Sequence, residues 1–363
     1  MNKTVLIAAM TAALAIPATS NAFEVIGKKL EIYGKIHVSV DASDNDKSGE
    51  DAQDDLSVSS NSSRLGFKGK HKIADGDMAV IYKLEQEVNV SSKGGEFATR
   101  NAYVGLKGSF GKVIVGHHDT PFKDVASKWG VFGDSVGERR SILGASATKG
   151  NKMNQRGRNA IMYSNKFNNL KVSAMYSADS LDENADEDST AGVQDNNDLD
   201  MKSIGIMYKG KDIPFYLGAA YEDWSNLDGL GEVDGFRVMG GYKFGFGKVG
   251  VIYESISSSD HEEIDRKAYG VNGIFKMGSG LDLRAQVLVA DDNAADADSG
   301  ATRTSLGVFK KLDKQTQVYA AYGATDNDAN AKYQGVDGGH GDEVKTEEGA
   351  NPSAFSLGLV YKF

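Results

Sequence analysis

The sequence SAFSLGLVYKF at residues 353–363 decides the fold. Bulky apolar side chains occupy every second position from Phe355 to Phe363, with Ser356, Gly358, Val360 and Lys362 between them. This period of two predicts a β-strand with one face in an apolar medium. A final strand that ends on an aromatic residue also predicts a closed sheet, because an open edge in lipid would leave backbone groups without hydrogen bonds.

The same alternation recurs along the chain, for example over Leu30–Val40, Phe215–Glu222 and Leu281–Val289. Beyond residues 1–22, no segment shows a sustained helical period with caps. These patterns predict an all-β protein.

The connections between the predicted strands are of two kinds, and the two kinds alternate. Seven short turns rich in Gly, Asn and Asp and eight long polar segments separate 16 predicted strands. The turns lie near Ala74–Asp77, Lys107–Gly111, Asn165–Asn169, Lys209–Asp212, Phe244–Gly247, Met277–Gly280 and Leu312–Gln315. The long segments are Asp41–Asn61, Val90–Thr99, His118–Gln155, Asp179–Leu199, Asp223–Asp234, Ser257–Asp265, Asp291–Ala301 and Thr325–Pro352.

This alternation places both chain ends on the short-turn side, where strand 1 can pair with strand 16. Short turns, long loops and an even strand number are typical of a transmembrane β-barrel with periplasmic turns and external loops. Sixteen strands leave an aqueous lumen. The alternative, a soluble β-sandwich or propeller, would favour connections of similar length.

The N-terminal residues predict export. Lys3, the apolar run Thr4–Pro17 and the small residues Ser20-Asn21-Ala22 predict a signal peptide over residues 1–22, which leaves a single barrel domain over 23–363. The chain has no cysteine, so disulfides and thiolate metal sites are excluded. The formal net charge of −10 argues against nucleic acid as a partner.

The third long segment, about 118–155, is less polar than the others, since it carries Phe122, Trp129 and Phe132. We expect it to fold into the lumen and narrow the pore. An arginine facing lipid at the bilayer midplane would cost about 2–4 kcal/mol, so basic residues in strands belong inside the barrel. Such residues at lumen-facing positions predict a basic constriction, and they are Lys35, Arg64, Arg100, Arg156 and Arg158.

Several motifs together resemble the trimeric general-diffusion porins of Gram-negative outer membranes, and the resemblance covers essentially all of 23–363. The motifs are LEIYGK at 30–35, SRLGFKG at 63–69, TRNAYVGL at 99–106, GHHDTPF at 116–122, Arg156 followed by NAIMY at 159–163, and YKF at 361–363. The resemblance implies a homotrimer, a basic half-ring of Lys35, Arg64, Arg100 and Arg156, and an assembly signal at Phe363.

One motif departs from the family pattern. Where the third loop of these porins often carries Pro-Glu-Phe-Gly, this chain has Gly130-Val131-Phe132-Gly133, so Val131 replaces the acid that faces the basic ring. The acids that remain nearby are Asp124, Asp134 and Glu138. If none of them reached the lumen, the constriction would favour anions.

The predicted function is passive diffusion of small hydrophilic solutes and ions through an outer-membrane pore, selected by size and charge and without a catalytic step. The alternatives are a channel selective for one solute class, such as phosphate or short sugars, and an outer-membrane barrel enzyme with a nucleophile–base pair. No G-x-S-x-G motif is present.

No cofactor or specific metal site is predicted. Asp44–Gly49 followed by Asp55 resembles a calcium loop but lacks flanking helices, and His117 and His118 would point to opposite faces of a strand. The acidic loops predict weak binding of divalent cations, which would help them lie among anionic lipopolysaccharide.

Overall fold

The computed structural model describes residues 23–24, 29–47, 52, 54–73, 76–91, 99–146, 150–151, 153–178, 200–211, 213–227 and 230–363. The predicted signal peptide at 1–22 and the whole acidic segment Asp179–Leu199 lie outside these residues. Within them, the chain forms a ring of 16 antiparallel strands. The first eight are β1 Glu31–Asp44, β2 in two segments (Asp54–Ser60 and Arg64–Lys72), β3 Ala79–Glu87, β4 Thr99–Gly108, β5 Gly111–Asp119, β6 Arg156–Phe167, β7 Leu170–Ser177 and β8 Met201–Lys209.

The remaining strands are β9 Phe215–Trp224, β10 Val233–Phe244, β11 Gly247–Ser258, β12 Arg266–Gly278, β13 Leu281–Ala290, β14 Ala301–Lys311, β15 Thr316–Asn327 and β16 Ser353–Lys362. Three further strands have only two residues each. Phe23–Glu24 pairs with β1, and Ala145–Ser146 pairs with Gly150–Asn151. Short 3₁₀ helices cover Arg139–Ser141 and Glu262–Ile264. Among the described helices, none is long and apolar enough to cross a membrane.

The ring closes where the sequence predicts. Lys35–Asp44 of β1 pair with Ser353–Lys362 of β16. The backbone N–H of Gly34 donates to the carbonyl of Phe363 at 2.9 Å, and the N–H of Phe363 donates back at 3.1 Å. The Phe363 ring lies against Gly34 so closely that a Cβ there would be 2.3 Å from Cζ. The predicted closed barrel of 16 strands is confirmed.

One predicted boundary is wrong. The polar segment Asp41–Asn61 does not form a single long loop, because β1 continues to Asp44 and β2 already begins at Asp54. Asp41 and Ser59 are buried on the inner face, where the Ser59 hydroxyl donates to the Asp41 carboxylate. Polar residues therefore do not end a strand whose inner face borders a polar lumen.

The two faces of the sheet differ as a barrel in lipid requires. Outward positions carry exposed aliphatic and aromatic side chains, among them Val104, Val115, Ile161, Ile204, Leu217, Val251, Val271 and Leu306. Near the short turns the aromatic rings contact one another, with centroids 5.1 Å apart for Phe215 and Tyr242 and 4.7 Å for Phe244 and Phe246. Aromatic side chains at strand ends are typical of the interface between the bilayer and water.

The third loop (loop 3, residues 120–155) begins with helix α1, Pro121–Trp129. The Thr120 hydroxyl accepts a hydrogen bond from the Lys123 N–H, and Pro121 fills the first helical turn, which together start the helix. Phe122, Val125 and Trp129 are fully buried where the helix packs against the inner faces of β8–β11. The predicted inward fold of this loop is confirmed.

Candidate functional site

Loop 3 is held inside the barrel by charged side chains of the wall. Arg237 of β10 and Arg266 of β12 both contact the Glu254 carboxylate of β11, at 2.6 and 2.7 Å, and all three side chains are fully buried. Arg237 also donates to the carbonyl of Phe122 at 2.9 Å, and its guanidinium lies 3.8 Å from the Phe122 ring centroid. Glu254 accepts the N–H of Gly144 at 2.7 Å. Both arms of the loop are thus tied to one buried charge cluster.

Further wall residues donate to carbonyls of loop 3. Asn272 donates to Trp129 at 2.9 Å, and Arg284 donates to Val131 at 2.7 Å. Arg303 donates to Glu138 at 3.0 Å and also to Val136. The loop therefore lies against the side of the barrel formed by β8–β15, and the opposite wall is formed by β1–β6 and β16.

The tip of loop 3 meets that wall at Asp134. Its carboxylate lies 2.7 Å from Lys35 Nζ of β1, 3.1 Å from Arg140 and 4.0 Å from Arg64 of β2. Burial would raise the pKa of the Asp134 carboxyl, but these cations outweigh it and hold the pKa well below its usual range. Asp134 therefore carries its negative charge at this contact between the loop and the wall.

Arg64 and Arg100 are compensated by acids on their own wall. Glu85 of β3 lies 3.1 Å from Arg100 and 3.8 Å from Arg64, and it accepts the Tyr33 hydroxyl at 2.7 Å. Glu87 forms a second close ion pair with Arg100. Sequence reasoning missed Glu85 and Glu87, although their alternation with the outward residues of β3 placed them in the lumen.

The two remaining predicted cations lie at the start of β6. Arg156 lies 3.2 Å from the Asp119 carboxylate, which Lys123 of α1 also approaches at 3.2 Å. Arg158 stands beside a shift of register between Gly157 and Ala160, where Asn159 has a positive φ of 43°. Its carbonyl accepts the Ser177 hydroxyl, and its side chain is half buried.

The structure brings one of the three predicted acids to the basic ring. Asp134 contacts the ring, whereas Asp124 lies 3.3 Å from Lys171 of β7, away from Lys35 and Arg64. Glu138 is buried within the loop, where it contacts Arg139 and Arg140 and accepts the N–H of Asp134 at 2.8 Å. Val131 is also buried, so the passage charge comes from a residue three positions after the family's usual acid.

A second loop covers the outer side of this constriction. In the connection between β15 and β16 (loop 8, residues 328–352), the carbonyl of Gly339 accepts the Ser62 hydroxyl at 2.9 Å, and His340 lies 3.3 Å from the Asp41 carboxylate. Asp337 of loop 8 is buried, and burial and Glu343 raise its pKa to about 7 against the opposing effect of Arg140 and Arg303.

The described residues contain no group of three or more His, Asp or Glu side chains arranged to hold a metal ion. Phe132 of loop 3 contacts Phe309 of the inner wall, with ring centroids 5.8 Å apart, and Phe309 stacks on Tyr319 at 5.0 Å. All three rings are buried.

Comparison with known proteins agrees with this architecture. A family model described as Gram-negative porin matches residues 6–330. A monosaccharide porin of a Halomonas species is 26% identical over 400 aligned positions that span all of both chains. An anion-selective porin from Comamonas acidovorans is 20% identical, with a TM-score of 0.71 over 92% of this chain and 99% of its own. A trimer form of OmpT, an outer-membrane protein of Vibrio cholerae, is 21% identical, with a TM-score of 0.64 over 92% of this chain and 99% of its own.

Proposed function

The chain belongs to the Gram-negative porin family and forms a diffusion channel of the outer membrane, and from this premise we propose a sieve for small hydrophilic solutes with a mild preference for anions. Selection takes place where Asp134 faces Lys35, Arg64, Arg100 and Arg156. Solutes pass down their gradients without a chemical step, so none of these residues acts as a catalyst.

The proposed anion preference is mild because the constriction is largely compensated. Lys35 is paired with Asp134 at 2.7 Å, and Arg100 is paired with both Glu85 and Glu87. Charges that neutralise each other at contact distance exert little force on an ion several ångströms away. The observation that carries the proposal is that, among the described residues of loop 3, Asp134 is the one carboxylate that contacts the basic ring, where it faces several cations of the wall.

The proposal is tested by recording reversal potentials across a KCl gradient in planar bilayers. Arg64→Ala with Arg100→Ala removes the arginine paired with Glu87 and leaves Glu85 with Lys83 at 3.0 Å, so we expect a larger conductance and a shift toward cations. The matched control is Lys202→Ala with Lys267→Ala, which removes two cations from exposed positions of β8 and β12. An unchanged reversal potential in the arginine variant would contradict the assigned constriction.

We infer that the channel works as a homotrimer, because a trimer form is known for the structurally similar OmpT of Vibrio cholerae. The expected result is conductance that rises in groups of three steps, together with a particle of three chains by light scattering in detergent. A single-chain particle with single steps would contradict the trimer while leaving the channel intact.

We also infer that the acidic loops bind divalent cations weakly and lie among lipopolysaccharide. Asp292, Asp296 and Asp298 between β13 and β14 illustrate this excess of acids, since that connection contains no lysine or arginine. Calcium should bind with millimolar, salt-sensitive affinity, measured by equilibrium dialysis with and without lipopolysaccharide. A saturable micromolar site would instead indicate a specific calcium loop.

A further inference from the structure

The short-turn half of the lumen contains a concentration of lysines that the constriction does not use. A cavity of about 630 Å³ lies between the strand ends and helix α1, and no acid is among its lining residues. We call it the turn-side vestibule, and its lysines are Lys107, Lys112, Lys128, Lys166, Lys171, Lys209, Lys243 and Lys248.

Three hairpins place these lysines in directly opposed pairs. Lys107 pairs with Lys112, Lys166 with Lys171, and Lys243 with Lys248, each just before a tight turn. Like charges directly opposite each other on neighbouring strands destabilise a sheet. The same unfavourable lysine pair occurs in three hairpins. Such a repeated loss of stability is expected at a functional site rather than in a purely structural wall.

Few of these ammonium groups have an anionic partner. Among the described residues, Lys171 is the one vestibule lysine that has a carboxylate within ion-pairing distance, Asp124 at 3.3 Å. Lys243 and Lys248 instead lie 5.5 and 5.7 Å from the Tyr216 ring centroid, and Lys112 lies 5.6 Å from that of Tyr103. Aromatic faces orient cations without neutralising them, so the charge remains available to a ligand.

We propose that the turn-side vestibule is a second anion-binding site, separate from the constriction, for small molecules that carry several phosphate or carboxylate groups. A solvated lysine contact is individually weak, so a monovalent anion gains little from it. An anion with three or more charges contacts lysines of several hairpins at once. Its binding should weaken as salt is added, because the screening length shortens.

The test is calorimetric titration of the detergent-solubilised full-length protein with tripolyphosphate, orthophosphate and citrate. Tripolyphosphate should bind about tenfold more tightly than orthophosphate, since it reaches several lysines. Citrate binding as tightly as tripolyphosphate would identify total charge as the recognised property, and weaker citrate binding would identify the phosphate groups. Equal binding of tripolyphosphate and orthophosphate would overturn the proposal.

Variants separate this site from the constriction. Lys112→Gln with Lys243→Gln and Lys248→Gln should weaken tripolyphosphate binding about tenfold. Lys202→Gln with Lys267→Gln and Lys332→Gln makes the same charge change at exposed positions outside the cavity and should leave binding intact. Arg64→Ala with Arg100→Ala should also retain binding. Loss in the arginine variant with retention in the vestibule variant would assign the anion to the constriction and overturn the proposal.

Discussion

The constriction and the turn-side vestibule are both rich in basic side chains, yet the two regions treat their charges in opposite ways. At the constriction, Lys35, Arg64 and Arg100 each lie within 4.0 Å of a carboxylate. In the vestibule, opposed lysines such as Lys243 and Lys248 share an aromatic ring instead. Paired charges maintain a shape, whereas unpaired charges attract a ligand. We therefore propose that the constriction selects solutes by size and charge and that the vestibule binds anions.

Releasing loop 3 should have the largest effect, because it removes the boundary between the two regions. Glu254→Ala leaves Arg237 and Arg266 buried without their carboxylate, which should lower the free energy of unfolding by about 3–5 kcal/mol. We expect a lower thermal midpoint and a markedly larger single-channel conductance. Glu262→Ala, at an exposed position, is the control. Normal conductance in Glu254→Ala would show that the position of loop 3 does not depend on this buried charge cluster.

Removing the acid of the constriction should have the next largest effect. Asp134→Asn leaves Lys35 without its carboxylate, whereas Arg64 keeps Glu85 and Arg140 keeps Glu138. A unit charge roughly 6 Å from a passing ion in water changes its energy by about 0.7 kcal/mol, with opposite sign for anions and cations, so the anion-to-cation permeability ratio should rise about tenfold. Asp124→Asn is the matched control, because that carboxylate contacts Lys171 instead. If Asp134→Asn and Asp124→Asn shifted the reversal potential equally, the prediction that Asp134 sets the charge of the constriction would be wrong.

The dependence of anion preference on salt concentration should differ between the two regions, although this effect is smaller. The vestibule variant Lys112→Gln with Lys243→Gln and Lys248→Gln should lower anion preference about twofold in 0.1 M KCl and hardly at all in 1 M KCl, because the Debye length falls from about 10 to 3 Å. The Asp134→Asn shift should persist better at high salt, since its partners are at contact distance. Reversal potentials at both concentrations measure this, and an identical salt response in both variants would contradict it.

The smallest effect should come from Asp337 of loop 8, which lies beside the constriction. Its folded-state pKa of about 7 exceeds the ordinary 3.8, so the folded state binds the proton more tightly. That contribution to stability is fully present below pH 3.8 and is lost as the pH rises through 7. Charged groups that act on Asp337 are Glu343, Arg140, Arg303 and Glu138.

Hydrogen exchange of residues 328–352 should therefore become faster between pH 6 and pH 8, after correction for intrinsic rates, as the charged carboxylate loosens the packing of loop 8. Asp337→Asn should abolish this dependence, whereas Asp326→Asn at an exposed position should keep it. A pH dependence that survives in Asp337→Asn would assign the transition to another group.

Much of the fold could be predicted from the sequence, because alternation along a strand reports directly which face meets lipid. The 16 strands, the closure at Phe363 and the inward loop 3 follow from that alternation and from loop length. The extension of β1 through Asp44 was missed, since the polarity that indicates a loop in a soluble protein also lines a wet lumen.

The site was predicted less completely. The alternation of positions along a strand shows which face of the sheet a side chain lies on, but it does not show which residue that side chain contacts. Lys35 and Arg64 could be placed in the lumen, yet their contact with Asp134 depends on where loop 3 crosses. The anchoring role of Glu254 could not be read from the sequence for the same reason. The opposed lysines next to the short turns were visible, and counting charges on the inner face near each turn would have found them.

The arginines that hold loop 3 have a consequence for electrical behaviour. Arg237, Arg266 and Arg303 reach the loop from three different strands and donate to its backbone carbonyls. A segment held at several points by buried hydrogen bonds is a fixed part of the wall and not a swinging gate. The current through the open pore should therefore show little noise from movement of loop 3. Closure of the channel by voltage would then require movement of another part of the barrel.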